Sequence, residues 1–330
     1  MGKQSNRLDQ RVLAAYKLKP ETVRVIQGGE QRTVWKIKSP KGTFCLKRLG
    51  RPLEKVHFSI QAHSYLAAKK ANVPGIFRNA QGALYTEIDG HVYVLYQWIE
   101  GRDLHLDRSD HLKKAIHGLA RFHKDSIGFV PAVNCKESTK WGKWPDHYRS
   151  MLERMKAWKK SKISSPTAEL YRKYSDQMIR QGEQALKLLK ASDYRAWLSR
   201  SEKMKCLCHQ DYGEGNALLT QDGVVVLDLD SVTYDLPLRD LRKVILKQMS
   251  ERGKWEPKLL EKIIAWYTSV HSLTSDQLRI LYIDCFFPHL FHDTAKNPLQ
   301  KGKSISSDKM MRTVKLENEK AGHLQRLLSG

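Results

Sequence analysis

Near residue 100 the hydrophobic pattern changes period, and this change constrains the fold more than any other feature. Before it, TVRVIQ (22–27), RTVWKIKS (32–39) and GTFCLKRL (42–49) alternate or run apolar, with a Gly-Gly pair or a Ser-Pro-Lys-Gly turn between them. That is the pattern of three antiparallel strands. VHFSIQAHSYLAAKK (56–70) has helical period and is closed by Asn72 and Pro74. ALYTEIDGHVYVLYQWI (83–99) reads as a hairpin with Asp89-Gly90 at its tip. A short helix is expected over residues 7–18. After Glu100-Gly101 the period becomes helical. SDHLKKAIHGLARFHKDS (109–126) is amphipathic with Ser109 as its expected cap, and further helices are expected over 144–160, 167–200 and from 238 onward. The expected fold is α+β and bilobal. A β-rich N-terminal lobe with one main helix (1–97) is joined through a hinge at 98–103 to a larger helical C-terminal lobe (98–330).

The 330 residues suffice for a large core. No run of eighteen apolar residues occurs, so no membrane partner is expected. The opening MGKQSNRLDQRVLAAYKL lacks an apolar signal core, so a secretory route is not expected either. The five cysteines are scattered, which fits a reducing compartment, and Cys206 and Cys208 read as packed strand residues. The formal charge of +23 is spread along the chain. Charge alone is compatible with nucleic acid, but no recognition motif accompanies it and nucleic acid is not expected as a partner.

The chemistry concentrates in CLCHQDYGEGNALLTQDGVVVLDLDS (206–231), which interrupts the helices. Asn216 offers an amide oxygen and Asp228 a carboxylate, the hard oxygen ligands that Mg²⁺ takes from protein alongside phosphate and water. Asp211 is placed to orient an incoming hydroxyl and accept its proton. His209 braces the loop through hydrogen bonds.

The series His209-Gln-Asp211-Tyr-Gly-Glu-Gly-Asn216, followed by Leu227-Asp228-Leu-Asp230, resembles the aminoglycoside phosphotransferase and choline kinase families of the protein-kinase-like fold. DLPLRDLRKVI (235–245) resembles the family segment after the metal aspartate, with Asp240 as the bracing residue. LKRLGRPLEKVHFSIQAHSYLAAKKANVPGI together with LCHQDYGEGNALL is similar to the CotS-type spore coat proteins. The resemblance implies ATP and Mg²⁺ as cofactors and Asp211 as the catalytic base with His209 beside it. It implies Asn216 and Asp228 as metal ligands, with Asp230 as a further contact. It implies Lys47 as the phosphate-binding strand lysine, Gly28 and Gly29 as the turn over the phosphates, and the Gln97–Ile99 backbone as the adenine hinge. The implied activity is phosphorylation of a hydroxyl on a small-molecule acceptor. The implied location is the mother-cell cytoplasm and the spore coat, with other coat proteins as partners.

One departure from the family pattern stands out. Kinase-like enzymes pair the strand lysine with a helix glutamate. The helix here carries only Glu54, at its start, with Gln61 and His63 in its middle. Lys47 must find another carboxylate, or be reached by Glu54, or be loosely held. The last case favours the alternative reading, a kinase-shaped scaffolding protein of the coat with weak or no catalysis. The acceptor is not specified by the sequence. Trp141, Trp144, Tyr148, Trp158, Trp255, Trp266, Tyr267 and Tyr282 are read as core, and the His289/His292 pair as a helix face with two histidines rather than a metal pair. Asp284 and Asp293 are the carboxylates nearest them in sequence.

Overall fold

The computed structural model describes residues 8–29 and 32–329. Following the chain, α1 (Gln10–Ala15) is opened by Asp9, whose carboxylate accepts from the Arg11 backbone N–H at 2.8 Å. It is shorter than the 7–18 expected, and Arg7 lies outside the described residues. Strands β1 (Thr22–Gln27), β2 (Thr33–Ser39) and β3 (Gly42–Leu49) follow, then α2 (Leu53–Ala68). Two-residue β4 (Ile76–Phe77) leads to the hairpin β5 (Thr86–Ile88) and β6 (His91–Gln97), then β7 (Arg102–Asp103) and α3 (Ser109–Ser126). Helices α4 (Trp144–Lys159), α5 (Pro166–Ala191) and α6 (Tyr194–Arg200) precede β8 (Leu207–Cys208), the hairpin β9 (Ala217–Thr220) and β10 (Gly223–Val226), and β11 (Thr233–Tyr234). The chain closes with α7 (Leu238–Arg252), α8 (Pro257–Thr268), α9 (Ser275–Phe286), α10 (His289–Gln300) and α11 (Ser307–Ser329).

Two expectations are corrected. Ser109 does not cap α3; Arg108 occupies that position without a side-chain bond, because Ser109 has already turned helical. The helix expected over 167–200 is two helices. Ser192 is extended, accepts from Tyr194 N at 3.3 Å and donates to Leu189 O at 2.8 Å, so it ends α5 locally.

The chain divides into two compact units. The first runs to Thr139 and takes up His209–Thr233; the second is Lys140–Cys208 with the chain from Tyr234 onward. The first unit thus extends beyond residue 97, through 98–103 and α3. The reason is visible at Gly118 of α3, where an added Cβ would lie 2.9 Å from Val224 of β10: helix and hairpin pack as one body.

In the first unit the antiparallel sheet has the order β1-β2-β3-β6-β4, with β5 also on β6. Period two divides its faces. Trp35, Ile37, Phe44, Leu46, Tyr93 and Leu95 pack on Val12, Leu13 and Tyr16 of the α1 region. Leu49, Val92, Val94 and Tyr96 pack on Val56 and Ile60 of α2, with Cys45 beside them. Lys47 stands between Val34 and Val94 in register, so it shares the second face with Cys45 and Leu49.

The second unit is helical. Ser165 accepts from Ala168 N at the start of α5, and Thr274 with Gln277 forms a capping box on α9. Its core contains paired charges. Asp284 accepts from Tyr148 Oη at 2.6 Å, His289 Nε2 at 2.9 Å and Arg242 Nε at 3.1 Å. Glu317 and Lys320 are fully buried and paired; Glu317 also accepts from Leu290 N and Phe291 N in the first turn of α10, and Lys320 donates to Phe287 O. His292 is buried against Trp158 and its Nδ1 meets Asp293 at 2.9 Å. Both histidines thus have carboxylate partners, as packed core groups do. All five cysteines are free thiols, and the buried Cys206 and Cys208 donate to the carbonyls of Asp235 and Leu236. No helix among the described residues is long and apolar enough to cross a membrane.

Candidate active site

Three pieces of local structure build the site, all within the first unit. The first is the loop His209–Asn216. Its fully buried histidine accepts from Asp211 N at Nδ1 (3.3 Å), which leaves Nε2 to donate to Leu227 O (2.7 Å). A neutral His209 therefore ties the loop to the end of the β9–β10 hairpin. Glu214 accepts from Leu106 N at 2.7 Å, and Tyr212 Oη donates to Ala115 O of α3. Gly213 and Gly215 sit at φ 150° and 83°, where a side chain would strain the turn. Asn216 donates its amide to Asp211 O (2.8 Å) and Oδ2 (3.1 Å), which orients the exposed Asp211 carboxylate and keeps the Asn216 amide oxygen available as an acceptor.

The second piece is the exit from β10. Leu227 N donates to Asn216 O at 2.9 Å, and the next residue, Asp228, turns left-handed at φ 56°, ψ 62°. A short polar side chain tolerates that conformation better than most. A 3₁₀ turn, Leu229–Ser231, follows and sets Asp230 beside Asp228.

The third piece is Lys47. Its side chain is 7% exposed, and its Nζ lies 2.6 Å from Asp228 and 2.7 Å from Asp230. The carboxylates expected from a helix come instead from the hairpin exit. Of the two middle residues of α2, His63 bonds Pro74 O and lies against Tyr96, and Gln61 meets His57 and accepts from Ala132 N. Burial, and secondarily Lys47, push the His63 pKa down to about 4, so a neutral imidazole lies near the lysine. Arg32, at the start of β2, also reaches Asp228, at 2.5 Å, and lies 3.9 Å from Asp230. Burial alone would raise the Asp228 pKa; Lys47 and then Arg32 overcome it and hold the carboxylate down at about 2.

These groups border a cavity of about 260 Å³. Of the residues singled out from sequence, Lys47, His63, Gln97, Trp98, Ile99, Asn216, Asp228 and Asp230 line it. Gln97 is held by Gly75 through both backbone and side chain, so the strand end beside the cavity is fixed. His209 and Asp211 stand outside the lining, joined to it by the Leu227 and Asn216 bonds. Gly28 and Gly29 also lie outside it; the Gly29 carbonyl accepts from Arg48 and Thr33, and Ile26, Gln27 and Arg32 form that wall. Glu30 and Gln31, between Gly29 and Arg32, lie outside the described residues. Sequence reasoning missed Arg32. Its only signal was a cation just after a glycine turn.

The donor set suits a divalent cation with a polyphosphate. Asp228 and Asn216 supply hard oxygens, and Lys47 and Arg32 supply cationic donors, at the edge of one cavity.

A phosphotransferase enzyme family model matches residues 22–281, which includes every one of these groups. The chain belongs to that family. It is 27% identical over 324 residues to spore coat protein S of Bacillus subtilis, covering 96% of this chain and 92% of the relative. An aminoglycoside phosphotransferase from Alicyclobacillus acidocaldarius has the same fold at a TM-score of 0.78 and 17% identity, over 99% of this chain and 98% of the other. A spectinomycin phosphotransferase, solved with ADP and spectinomycin, aligns at 0.59 and 15% identity over 96% and 97% of the two chains. The fold is therefore kinase-like, with an antiparallel-sheet N-terminal lobe and a helical C-terminal lobe.

Proposed function

We propose that this protein is a phosphotransferase that uses ATP with Mg²⁺ to phosphorylate a hydroxyl of a small acceptor, and that it works in the spore coat after synthesis in the mother cell. The observation that carries the reading is the meeting of Lys47 with Asp228 and Asp230 beside a cavity bordered by Gln97–Ile99. Residues 181 positions apart are brought together there, and a merely structural pair would not need the adjoining space. Asp228 and Asn216 would hold the metal once Arg32 has released Asp228, Lys47 the phosphates, and the 97–99 segment the base. The bound cofactor would supply the phosphoryl group and the cation that neutralises its oxygens. Asp211, held by Asn216, orients the acceptor hydroxyl and takes its proton. Similarity to spore coat protein S along nearly the whole of both chains supports the location.

One observation favours a second reading. Arg32 and Lys47 already neutralise Asp228, as they would in a kinase-shaped scaffold sealed by its own cations. Thermal unfolding with ATP, with and without Mg²⁺, separates the two, because a ligand of the native state raises the melting temperature. The enzyme reading expects a Mg²⁺-dependent rise that Asp228→Ala abolishes. No rise at millimolar ATP leaves the scaffold.

A further inference from the structure

A second cavity, of about 330 Å³, lies wholly within the helical unit. Its wall carries four cations, Lys140, Lys143, Arg239 and Arg242, and three carboxylates, Asp146, Asp235 and Asp284. Two of those carboxylates are already engaged. Asp284 is taken by Arg242, Tyr148 and His289, and Asp146 pairs with Arg149. Asp235 spends its Oδ1 on Trp144 Nε1 (2.8 Å) and Leu236 N (2.9 Å), and its buried Oδ2 has no hydrogen-bond partner among the described residues, with Arg239 Nε the charge that faces it.

The cations are less well served. Arg239 approaches Asp235 only at 3.5 Å, beyond good hydrogen-bond length, and its buried Nη1 has no partner among the described residues. Lys140 and Lys143 sit on a turn, fixed by Lys140 N to Tyr234 O (2.7 Å) and Lys143 N to Lys140 O (3.0 Å). Neither ammonium has a carboxylate among the described residues. Burial raises the Asp235 pKa to about 7, with Arg239 only partly opposing it. Unsatisfied buried donors are rare in native proteins without a reason.

We infer that this cavity binds a tetrahedral oxyanion, a phosphoryl or sulfuryl group carried by a small ligand, between the Arg239 guanidinium and the Lys140–Lys143 turn. A guanidinium and two ammonium groups match the several oxygens of such a group. The same charges repel an amine. Trp144 and Tyr148 give the apolar wall against which the rest of the ligand packs. The inference does not depend on the nucleotide reading, since no residue of the first unit takes part.

The test uses the full chain, with inorganic phosphate, sulfate, acetate and tetramethylammonium as probes at matched ionic strength. Melting temperature is followed together with the His147 imidazole resonance, which reports from the cavity wall. Phosphate and sulfate are expected to give a saturable rise and to move His147. The His147 response should weaken about tenfold in Lys140→Ser/Lys143→Ser, exposed positions whose loss leaves the fold intact, and should persist in Lys47→Ala, whatever that variant does to phosphate held in the first cavity. Equal effects of acetate and phosphate would reduce the site to charge screening and overturn the inference. So would a His147 response lost in Lys47→Ala but kept in the double variant, which would assign it to the first cavity. Stabilisation by tetramethylammonium alone would overturn it as well.

Discussion

Asp228 meets two demands at once, since it leaves a strand left-handed and neutralises Lys47 and Arg32, and under the proposed function it would meet a third by offering a metal an oxygen ligand. The first two have a measurable consequence. Its folded pKa, about 2, lies below the 3.8 of an ordinary aspartate, so its ionised form stabilises the fold at neutral pH. That contribution, about 2 kcal/mol, is complete above the unfolded pKa and is lost as pH falls through the folded one. Denaturant unfolding of wild type and Asp228→Asn should differ at pH 6 and converge between about pH 4 and pH 2; parallel curves over that range would contradict the pairing. Under the proposed function Arg32 would compete with the metal for the same carboxylate. Arg32→Ala should therefore leave Mg²⁺–nucleotide binding unchanged or tighten it, because no internal cation must first be displaced. Lys47→Ala should weaken it about tenfold or more, as removal of a charge-assisted bond does. Calorimetric titration of both variants reads the contrast. A large loss in Arg32→Ala would instead make Arg32 a phosphate ligand held ready on Asp228.

At the scale of elements, the approach of α3 to β9–β10 governs the His209–Asn216 loop. A Cβ on Gly118 would stand 2.9 Å from Val224 Cβ and 3.0 Å from Tyr212 Oη. Alanine gains about 1 kcal/mol of helix propensity there, but the nearest atom cannot rotate away, and overpacking costs about 1–3 kcal/mol. Gly118→Ala is therefore expected to lower the melting temperature and to loosen the Tyr212–Ala115 bond that steadies Asp211, visible as faster amide exchange across 209–216. A stabilised variant would show that the hairpin yields. The same elements mark what could be read in the sequence. Strands β1–β3 and β6 were legible because six to eight residues carry a period, and three-residue β5 because Asp89-Gly90 marks its turn into β6; β4 and β7, two residues each, carry neither signal. The break at Ser192 was invisible because it rests on one hydroxyl in an unbroken helical pattern. His209, Asp211, Asn216 and Asp228 were legible as an ordered set. The partner of Lys47 was not, because the missing helix glutamate is replaced from a hairpin exit far along the chain, and nothing local announces such a pairing.

For the whole molecule, 58 Lys and Arg against 35 Asp and Glu mean that any polyanion is attracted, ATP included. This general attraction and a specific site make different demands on salt and metal. Screening shortens the reach of surface charge from about 10 Å at 0.1 M salt to about 3 Å at 1 M, so loosely held ATP is released as salt rises. Mg²⁺ lowers the net charge of the nucleotide and weakens that diffuse attraction further. Lys47, with 7% of its side chain exposed, and Asp228, with 23%, are screened far less. The expected result is a melting-temperature rise with two parts. One is metal-independent, fades between about 0.1 and 0.5 M salt and is matched by pyrophosphate or heparin. The other requires Mg²⁺, survives the salt and disappears in Asp228→Ala. If the whole rise fades with salt and the variant follows the wild type, the charge of the surface accounts for the binding and the cavity beside Lys47 plays no part in it.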